Sequence, residues 1–258
     1  MDVIMLAGGS AGPELKEFTD NGYKSLLKFG DEFMINLTLR AFKESKLRGC
    51  LFLLAAPEVK NLVKSDYYDH FIPEGADIFD NVLKALSHDK IDKSKKIMIT
   101  SCDIPLISHQ AVDNFIGYSQ NVNCDAIYPL VEKSVYDAKF AGTRRSWYYC
   151  KDGTYTGGNF ICVKPDIFFK NKDMFIDIFE NRKNPVKIAA LFGVKLLLKY
   201  KMGLASKKDA LDAVYNVIKT PCAAFESKYA EIVFDIDKAS DYIKCVEYIK
   251  NKCGRPRD

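Results

Sequence analysis

The sequence holds eight cysteines but no Cys-x-x-Cys pair, and no cysteine stands at zinc-ligand spacing from a histidine. Paired-cysteine zinc sites and thioredoxin-like redox motifs are therefore not expected. Cys50, Cys102, Cys124, Cys150, Cys162, Cys222, Cys245 and Cys253 read instead as free thiols in a reducing compartment. Histidine is scarce: His70, His88 and His109 show no partner pattern and are expected to be structural or solvated. No basic region followed by an apolar stretch opens the chain, so no secretory signal is expected, and the location is expected to be cytoplasmic. Long hydrophobic runs are missing too. The most apolar later segment, Ile188 to Tyr200, is interrupted by Lys195 and Lys199 and is too short to span a bilayer. The net charge is +4 with the lysines spread along the chain, which leaves no nucleic-acid footprint but suits anionic small molecules such as phosphates. There is no repeat, low-complexity tract or clear linker.

What is present is an ordinary globular composition, nearly half apolar, over 258 residues. That length fits a single domain, 1–258, in which 131–220 forms an insertion. Apolar runs at Val3–Leu6, Cys50–Ala56, Lys95–Thr100 and Asp125–Leu130 read as buried strands. Between them helical spacing covers Glu32–Ser45, Glu58–Lys64, Asp77–Leu86 and Ser108–Tyr118, with Ser108 as N-cap. This alternation predicts an α/β fold with a mostly parallel, layered sheet. From Val131 to Val163 the pattern becomes aromatic and β-forming, around a turn-rich Lys151–Gly158, and predicts an antiparallel excursion beside the main sheet. Helices are expected at Pro165–Glu180, Pro185–Lys201, Ser206–Lys219 and Lys238–Lys252, and strands at Cys222–Phe225 and Glu231–Phe234. Ser206 and Asp209 are spaced as a capping box.

Three stretches could carry chemistry. The first strand ends in Leu6-Ala7-Gly8-Gly9, and glycine lets a backbone approach a ligand closely. Ligands in open α/β sheets bind at the carboxyl ends of the strands. The third strand ends in Asp103-Ile104-Pro105; an acid there is either a metal ligand or a turn-capping aspartate. Asp235 and Asp237 alternate with apolar residues and can share one face, where with Asp103 they would make a carboxylate cluster suited to Mg²⁺. The competing reading makes Asp237 an N-cap and Asp241 a helix-dipole partner. In the insertion, Arg144 and Arg145 could clamp a phosphate, Gly157-Gly158-Asn159 offers a close-approach backbone and an amide, and Arg182 and Lys183 add charge. A solvated surface, or a hairpin turn at Gly157-Gly158, is the plainer alternative. Asn81 could touch base or ribose.

The stretches resemble, in order, the MobA-like nucleotidyltransferases. Leu6-Ala7-Gly8-Gly9, Lys24-Ser25-Leu26, Asp103-Ile104-Pro105 and Asp235-Ile236-Asp237-Lys238-Ala239-Ser240-Asp241 correspond to that family's Leu-Ala-Gly-Gly, Lys-Pro-Leu, Asp-x-Pro and Asp-x-Asp-Thr-Pro-Glu-Asp. Gly30-Asp31-Glu32-Phe33-Met34-Ile35 is similar to its Gly-Gly-Lys-Pro-Met-Ile. The resemblance implies a three-layer GT-A-like (Rossmann-like) fold. It also implies transfer of an NMP unit from a nucleoside triphosphate to a small phosphorylated acceptor, with release of pyrophosphate. In that role Leu6, Ala7, Gly8 and Gly9 would hold the nucleotide, Lys24 would neutralise the triphosphate, and Asp103 with Asp237 or Asp235 would hold Mg²⁺. The acceptor would meet Arg144, Arg145, Gly158, Asn159 and Lys183 in 131–220. An oligomer is possible. The chain departs from the pattern in lacking an arginine between Ser10 and Tyr23, where Lys16 is the nearest cation, and in carrying Ser25 for proline. Two alternatives stay open: a GT-A glycosyltransferase using a sugar nucleotide, and a nucleotide-binding module without turnover.

Overall fold

The computed structural model describes residues 1–143, 145–181, 187 and 191–253. The chain opens on β1 (Val3–Leu6), whose first three residues are buried. Two 3-10 turns, Pro13–Phe18 and Lys24–Leu26, carry the loop after it. A short hairpin, β2 (Lys28–Phe29) and β3 (Glu32–Phe33), leads into α1 (Met34–Glu44). Then follow β4 (Leu51–Ala55), α2 (Pro57–Lys60), β5 (His70–Pro73), α3 (Ile78–Leu86), β6 (Ile97–Ser101) and α4 (His109–Asn121). The second half runs through β7 (Ala126–Glu132), α5 (Lys133–Phe140), β8 (Tyr148–Cys150), β9 (Gly153–Gly157), β10 (Phe160–Val163), α6 (Asp166–Lys170) and α7 (Lys172–Asn181). Helices Val194–Lys201 and Lys207–Ile218 precede β11 (Cys222–Glu226), and helix Ala239–Cys253 ends the described chain.

The main sheet has the order β5-β4-β1-β6-β10-β7-β9-β8, with β11 on the free edge of β7. β5, β4, β1 and β6 are parallel, and β10 lies antiparallel between β6 and β7. Leu130 of β7 pairs with Gly157 of β9 and with Glu226 of β11, so those strands take opposite edges. β9 and β10 therefore share one edge of β7, β9 along its end and β10 along its start. The architecture is α/β, a mixed but mostly parallel sheet flanked by helices.

Alternation along β1 divides the core. Val3 and Met5 face a cluster with Leu39 and Phe42 of α1 and Val112 and Phe115 of α4, while Ile4 faces Phe79 and Val82 of α3. The strands near the centre are apolar on both faces because helices cover both. Every parallel strand of this half ends at the same edge, and that edge carries the loops after Leu6, Pro73 and Ser101.

Several expectations need correction. The antiparallel excursion does not stay beside the sheet: β10 inserts into its middle, because an apolar strand with Cys162 and Val163 buried needs cover on both edges. Lys151–Gly158 is not all turn, since Gly153–Gly157 is β9, and Gly157-Gly158 is no hairpin turn. There the chain steps from one part of β7 to another, with the Gly158 amide donating to Pro129 O at 2.9 Å. A Cβ on Gly158 would lie 2.7 Å from the Pro129 ring, so only glycine allows this approach. Pro165–Glu180 is two helices, because the Asn171 side chain caps the Ile167 carbonyl at 3.0 Å. Of the expected helix Pro185–Lys201, residues 185, 186 and 188–190 lie outside the described residues; the later part starts at Val194 after Gly193, whose φ is 96°. Glu231–Phe234 is not a strand but mostly a 3-10 turn, Ala230–Val233, tied across the sheet edge rather than along a ladder. β5, α5 and the β2–β3 hairpin were not foreseen; each is short and lacks a clean period.

Candidate active site

The loop after β1 closes on itself. Ala7 donates to Leu54 O at 2.7 Å, which fixes the strand exit. Gly9 has φ 104°, a region that side chains disfavour, and its carbonyl accepts from the Lys24 amide at 3.2 Å. Ser10 bridges to Tyr23, and Ala11 donates to Gly22 O at 2.8 Å. Ser10–Tyr23 is thus a closed lobe that returns Lys24 to the two glycines. The amides of Gly8 and Gly9 are exposed and donate no hydrogen bond among the described residues.

β6 delivers the acid. The Cys102 amide donates to Leu6 O at 3.1 Å, and the Cys102 carbonyl accepts from buried Thr38 Oγ1 at 2.7 Å, so α1 and β1 both hold the turn before Asp103. Ser101 Oγ donates to Asp103 Oδ1. Lys24 Nζ stands 2.6 Å from Asp103 Oδ2 and 2.7 Å from Asp237 Oδ1, so one ammonium bridges two carboxylates 134 residues apart in the chain (237 − 103).

The segment bearing Asp235 and Asp237 is held from three sides. Asn159 donates to Ile232 O at 3.1 Å, Ile236 donates to Asp103 O at 3.0 Å, and buried Glu231 binds Ser108 Oγ at 2.8 Å and Lys139 Nζ at 2.6 Å. The Asp241 carboxylate accepts from the amides of Asp237 and Lys238 at 3.2 and 2.9 Å. Asp241 therefore closes the first turn of the last helix, and the Asp237 side chain is left to Lys24. Carboxylate oxygens of Asp103, Asp235 and Asp237 all lie within 4.8 Å of one another. Asp235 carries its own cation: Arg145 Nη1 is paired with its Oδ1, while Arg145 Nε donates to Thr156 Oγ1 at 3.3 Å and Nη2 to Gly157 O at 3.4 Å.

This crowding of charge governs the titrations. Burial pulls the Lys24 ammonium down, but the charges and hydrogen bonds of Asp103 and Asp237 outweigh it and hold its pKa above the usual lysine range. Burial lifts Asp235 above the ordinary carboxylate value despite Arg145. Burial acts upward on Asp237 too, but the hydrogen bond and charge of Lys24 win and lower it. Tyr128, whose ring lies against Gly157, neighbours Arg145 and Asp235.

Of the remaining residues picked out from sequence, Leu6 and Ala7 act through the backbone, with Ala7 buried. Asn81 reaches the glycine loop, but its Oδ1 accepts from the Gly75 amide, so it also braces a neighbouring turn. Asn159 sits at the sheet edge, its carbonyl accepting from Ser101 at 3.2 Å. Arg144 and Lys183, with Arg182, lie outside the described residues. Sequence reasoning missed Glu74, whose carboxylate occupies the space a Cβ on Gly8 would need, and Thr38, Ser101 and Tyr128. Only Ser101 carried a signal, its place two residues before Asp103.

Residues 3–190 match the MobA-like NTP transferase domain. The chain belongs to that family. It is thereby a nucleotidyltransferase. Asp235 and Asp237 lie beyond the matched stretch. No curated protein matches the sequence. Among solved structures, a hypothetical transferase from Thermus thermophilus is similar with a TM-score of 0.80 at 23% identity, over 93% of this chain and 98% of that one. A 4-diphosphocytidyl-2C-methyl-D-erythritol synthase from Anaerococcus prevotii gives 0.58 at 11% identity, over 96% and 95%. Molybdopterin-guanine dinucleotide biosynthesis protein A from Archaeoglobus fulgidus gives 0.51 at 13% identity, over 98% and 100%. At these identities the likeness is one of fold. Among the described residues no helix is long and apolar enough to cross a membrane.

Proposed function

We propose that this protein transfers an NMP unit from a nucleoside triphosphate to a small phosphorylated acceptor, releasing pyrophosphate, with Mg²⁺ as cofactor and in the cytoplasm. The reading rests above all on one arrangement: Lys24 bridges Asp103 and Asp237 beside two glycines with unspent amides, at the carboxyl edge of parallel strands. The donor set fits the metal. Three carboxylates supply hard oxygen atoms, the chemistry Mg²⁺ prefers, gathered within 4.8 Å of one another. Asp103, Asp235 and Asp237 would hold it, and when bound it would neutralise phosphate charge and stabilise the departing pyrophosphate.

The chain's own groups do the rest. Gly8 and Gly9 present amides to the triphosphate, and Lys24 exchanges its carboxylates for phosphate oxygens. An oxygen of the acceptor attacks the α-phosphorus in line while the α–β phosphoanhydride bond breaks. Residues 131–220 supply the acceptor side, through Arg145, Gly158 and Asn159 among the described residues and through Arg144 and Lys183 beyond them. Acceleration comes from positioning and charge compensation.

Thermal-shift screening of the four ribonucleoside triphosphates, with and without Mg²⁺, tests this directly. At a hundredfold excess over Kd, binding adds about 2.7 kcal/mol, a shift of a few degrees. Pyrophosphate release with phosphorylated acceptors follows. The D103N variant is expected to keep its melting temperature within a few degrees and lose on the order of 10²–10³-fold in turnover. Near-normal turnover in a folded D103N protein would refute the assignment.

A further inference from the structure

Resting on that reading, we infer that Arg145 is a metal-displaced positioning residue. It holds Asp235 until a divalent cation takes that carboxylate, and it is then driven off toward the acceptor.

Four observations carry the inference. Asp235 and Arg145 form a pair whose side chains are only 16% and 17% exposed, so water does little to weaken it. Asp235 also belongs to the three-carboxylate cluster, so the guanidinium on its Oδ1 competes for that oxygen with a divalent cation and repels it. The formal charges match an exchange: three carboxylates against Lys24 and Arg145 leave one net negative charge (−3 + 2), little attraction for a cation until one partner leaves. Finally, Arg145 has somewhere to go. Its other contacts, to Thr156 Oγ1 and Gly157 O, are long, 3.3 and 3.4 Å, and belong to β9, within the 131–220 segment proposed to meet the acceptor. Tyr128, whose ring lies against Gly157, is partly exposed there. A freed guanidinium on this side can meet an anionic acceptor group with its fork of donors.

Lys24 is the counterpart on the nucleotide side. The two cations offset most of the cluster's charge and are released in opposite directions, Lys24 to the triphosphate and Arg145 to the acceptor. Loading of metal and nucleotide thus readies the acceptor side, which predicts ordered binding with the nucleotide first.

The test is Mn²⁺ titration of the whole protein by electron paramagnetic resonance, with and without a nucleoside triphosphate. R145Q removes the competitor, and if the pair is closed about nine-tenths of the time, Mn²⁺ binds roughly tenfold tighter. R145K, which keeps a charge without the fork, falls between. Damage to the site weakens binding instead, and loss of a nearby positive charge without displacement leaves the labelling of wild-type Arg145 unchanged by metal. Phenylglyoxal labelling mapped by mass spectrometry gives a second readout. Labelling of Arg145 in the wild-type protein should rise several-fold with Mg²⁺ and fall again with EDTA, and in D235N it should be high without metal. Equal or weaker Mn²⁺ binding by R145Q, or Arg145 labelling indifferent to Mg²⁺, overturns the inference. No Mn²⁺ binding by the wild-type protein, even with nucleotide, overturns the metal reading itself and leaves Arg145–Asp235 a structural pair.

Discussion

The two halves of the sheet build their parts of the site in different ways. In β5-β4-β1-β6, each strand is followed by a connection that returns it parallel to its neighbour, and the chemical groups sit at strand ends. Gly8, Gly9 and Asp103 are placed by the strand that leads into them. In the half built on β7 and β10, nothing is placed so locally. Asn159 reaches the site edge because β10 runs backwards beside β6, Arg145 because it precedes β8, and Asp235 and Asp237 because bonds to Asn159 and Asp103 draw a late turn across the edge. Both halves share one core, but the first carries its groups at strand ends while the second brings Arg145, Asp235 and Asp237 there through a few polar contacts. Nucleotide binding should therefore depend on the first half, and the acceptor side on the second.

That division can be broken by experiment. The largest effect is expected from Phe42→Ala in α1. Phe42 is fully buried in the cluster that carries β1, so truncation should cost about 3–5 kcal/mol in chemical denaturation and weaken nucleotide binding with it. Retained stability would mean that the first half does not anchor the fold. A smaller loss, about 1 kcal/mol, is expected from Ser206→Ala, which removes the N-cap of helix Lys207–Ile218 and half of its capping box. Because this helix serves the second half, nucleotide-induced thermal shifts should be unchanged, and a parallel loss of nucleotide affinity would contradict the division. The smallest effect is expected at the base of β7. Asp125 pairs with Lys164 at 2.7 Å and accepts from Thr220 at 2.9 Å, and the Lys164 hydrogen bond above all holds its pKa below the ordinary value. A depressed carboxylate stabilises the fold above its unfolded pKa, about 3.9, and loses that contribution as pH falls through the folded value. Melting curves of wild-type and D125N proteins should differ most near neutral pH and converge below about pH 4. A gap that widens in acid would reverse the assignment.

The same division marks what could be read from the residues. The strands after Met1, Gly49 and Lys95 were legible because apolar runs end in glycine, proline or aspartate, and the helices of the first half because their caps and spacing agree. Ser108 caps α4 and Ser206 makes its capping box as the spacing implies. The second half resisted because β10 is as apolar as a parallel strand, and direction leaves no mark on composition. Alternation puts Asp235 and Asp237 on one face at the end of a strand, but the residues before them form a 3-10 turn, Ala230–Val233. They meet Asp103 all the same, since the Ile236 amide binds the Asp103 carbonyl and turns both carboxylates toward it. Arg145 was read as a free phosphate clamp, whereas in the folded chain it is paired with Asp235.

By itself the sequence determined the class of the fold, the family and the sheet edge where Gly8, Gly9 and Asp103 gather, because glycine placement, strand ends and apolar period are properties of neighbouring residues. Only the tertiary structure decided that Lys24 bridges Asp103 to Asp237, that Arg145 occupies Asp235, and that β10 enters the sheet in reverse. Those contacts join residues tens to hundreds of positions apart, and their energies depend on burial and on which charge lies opposite, which no local pattern encodes.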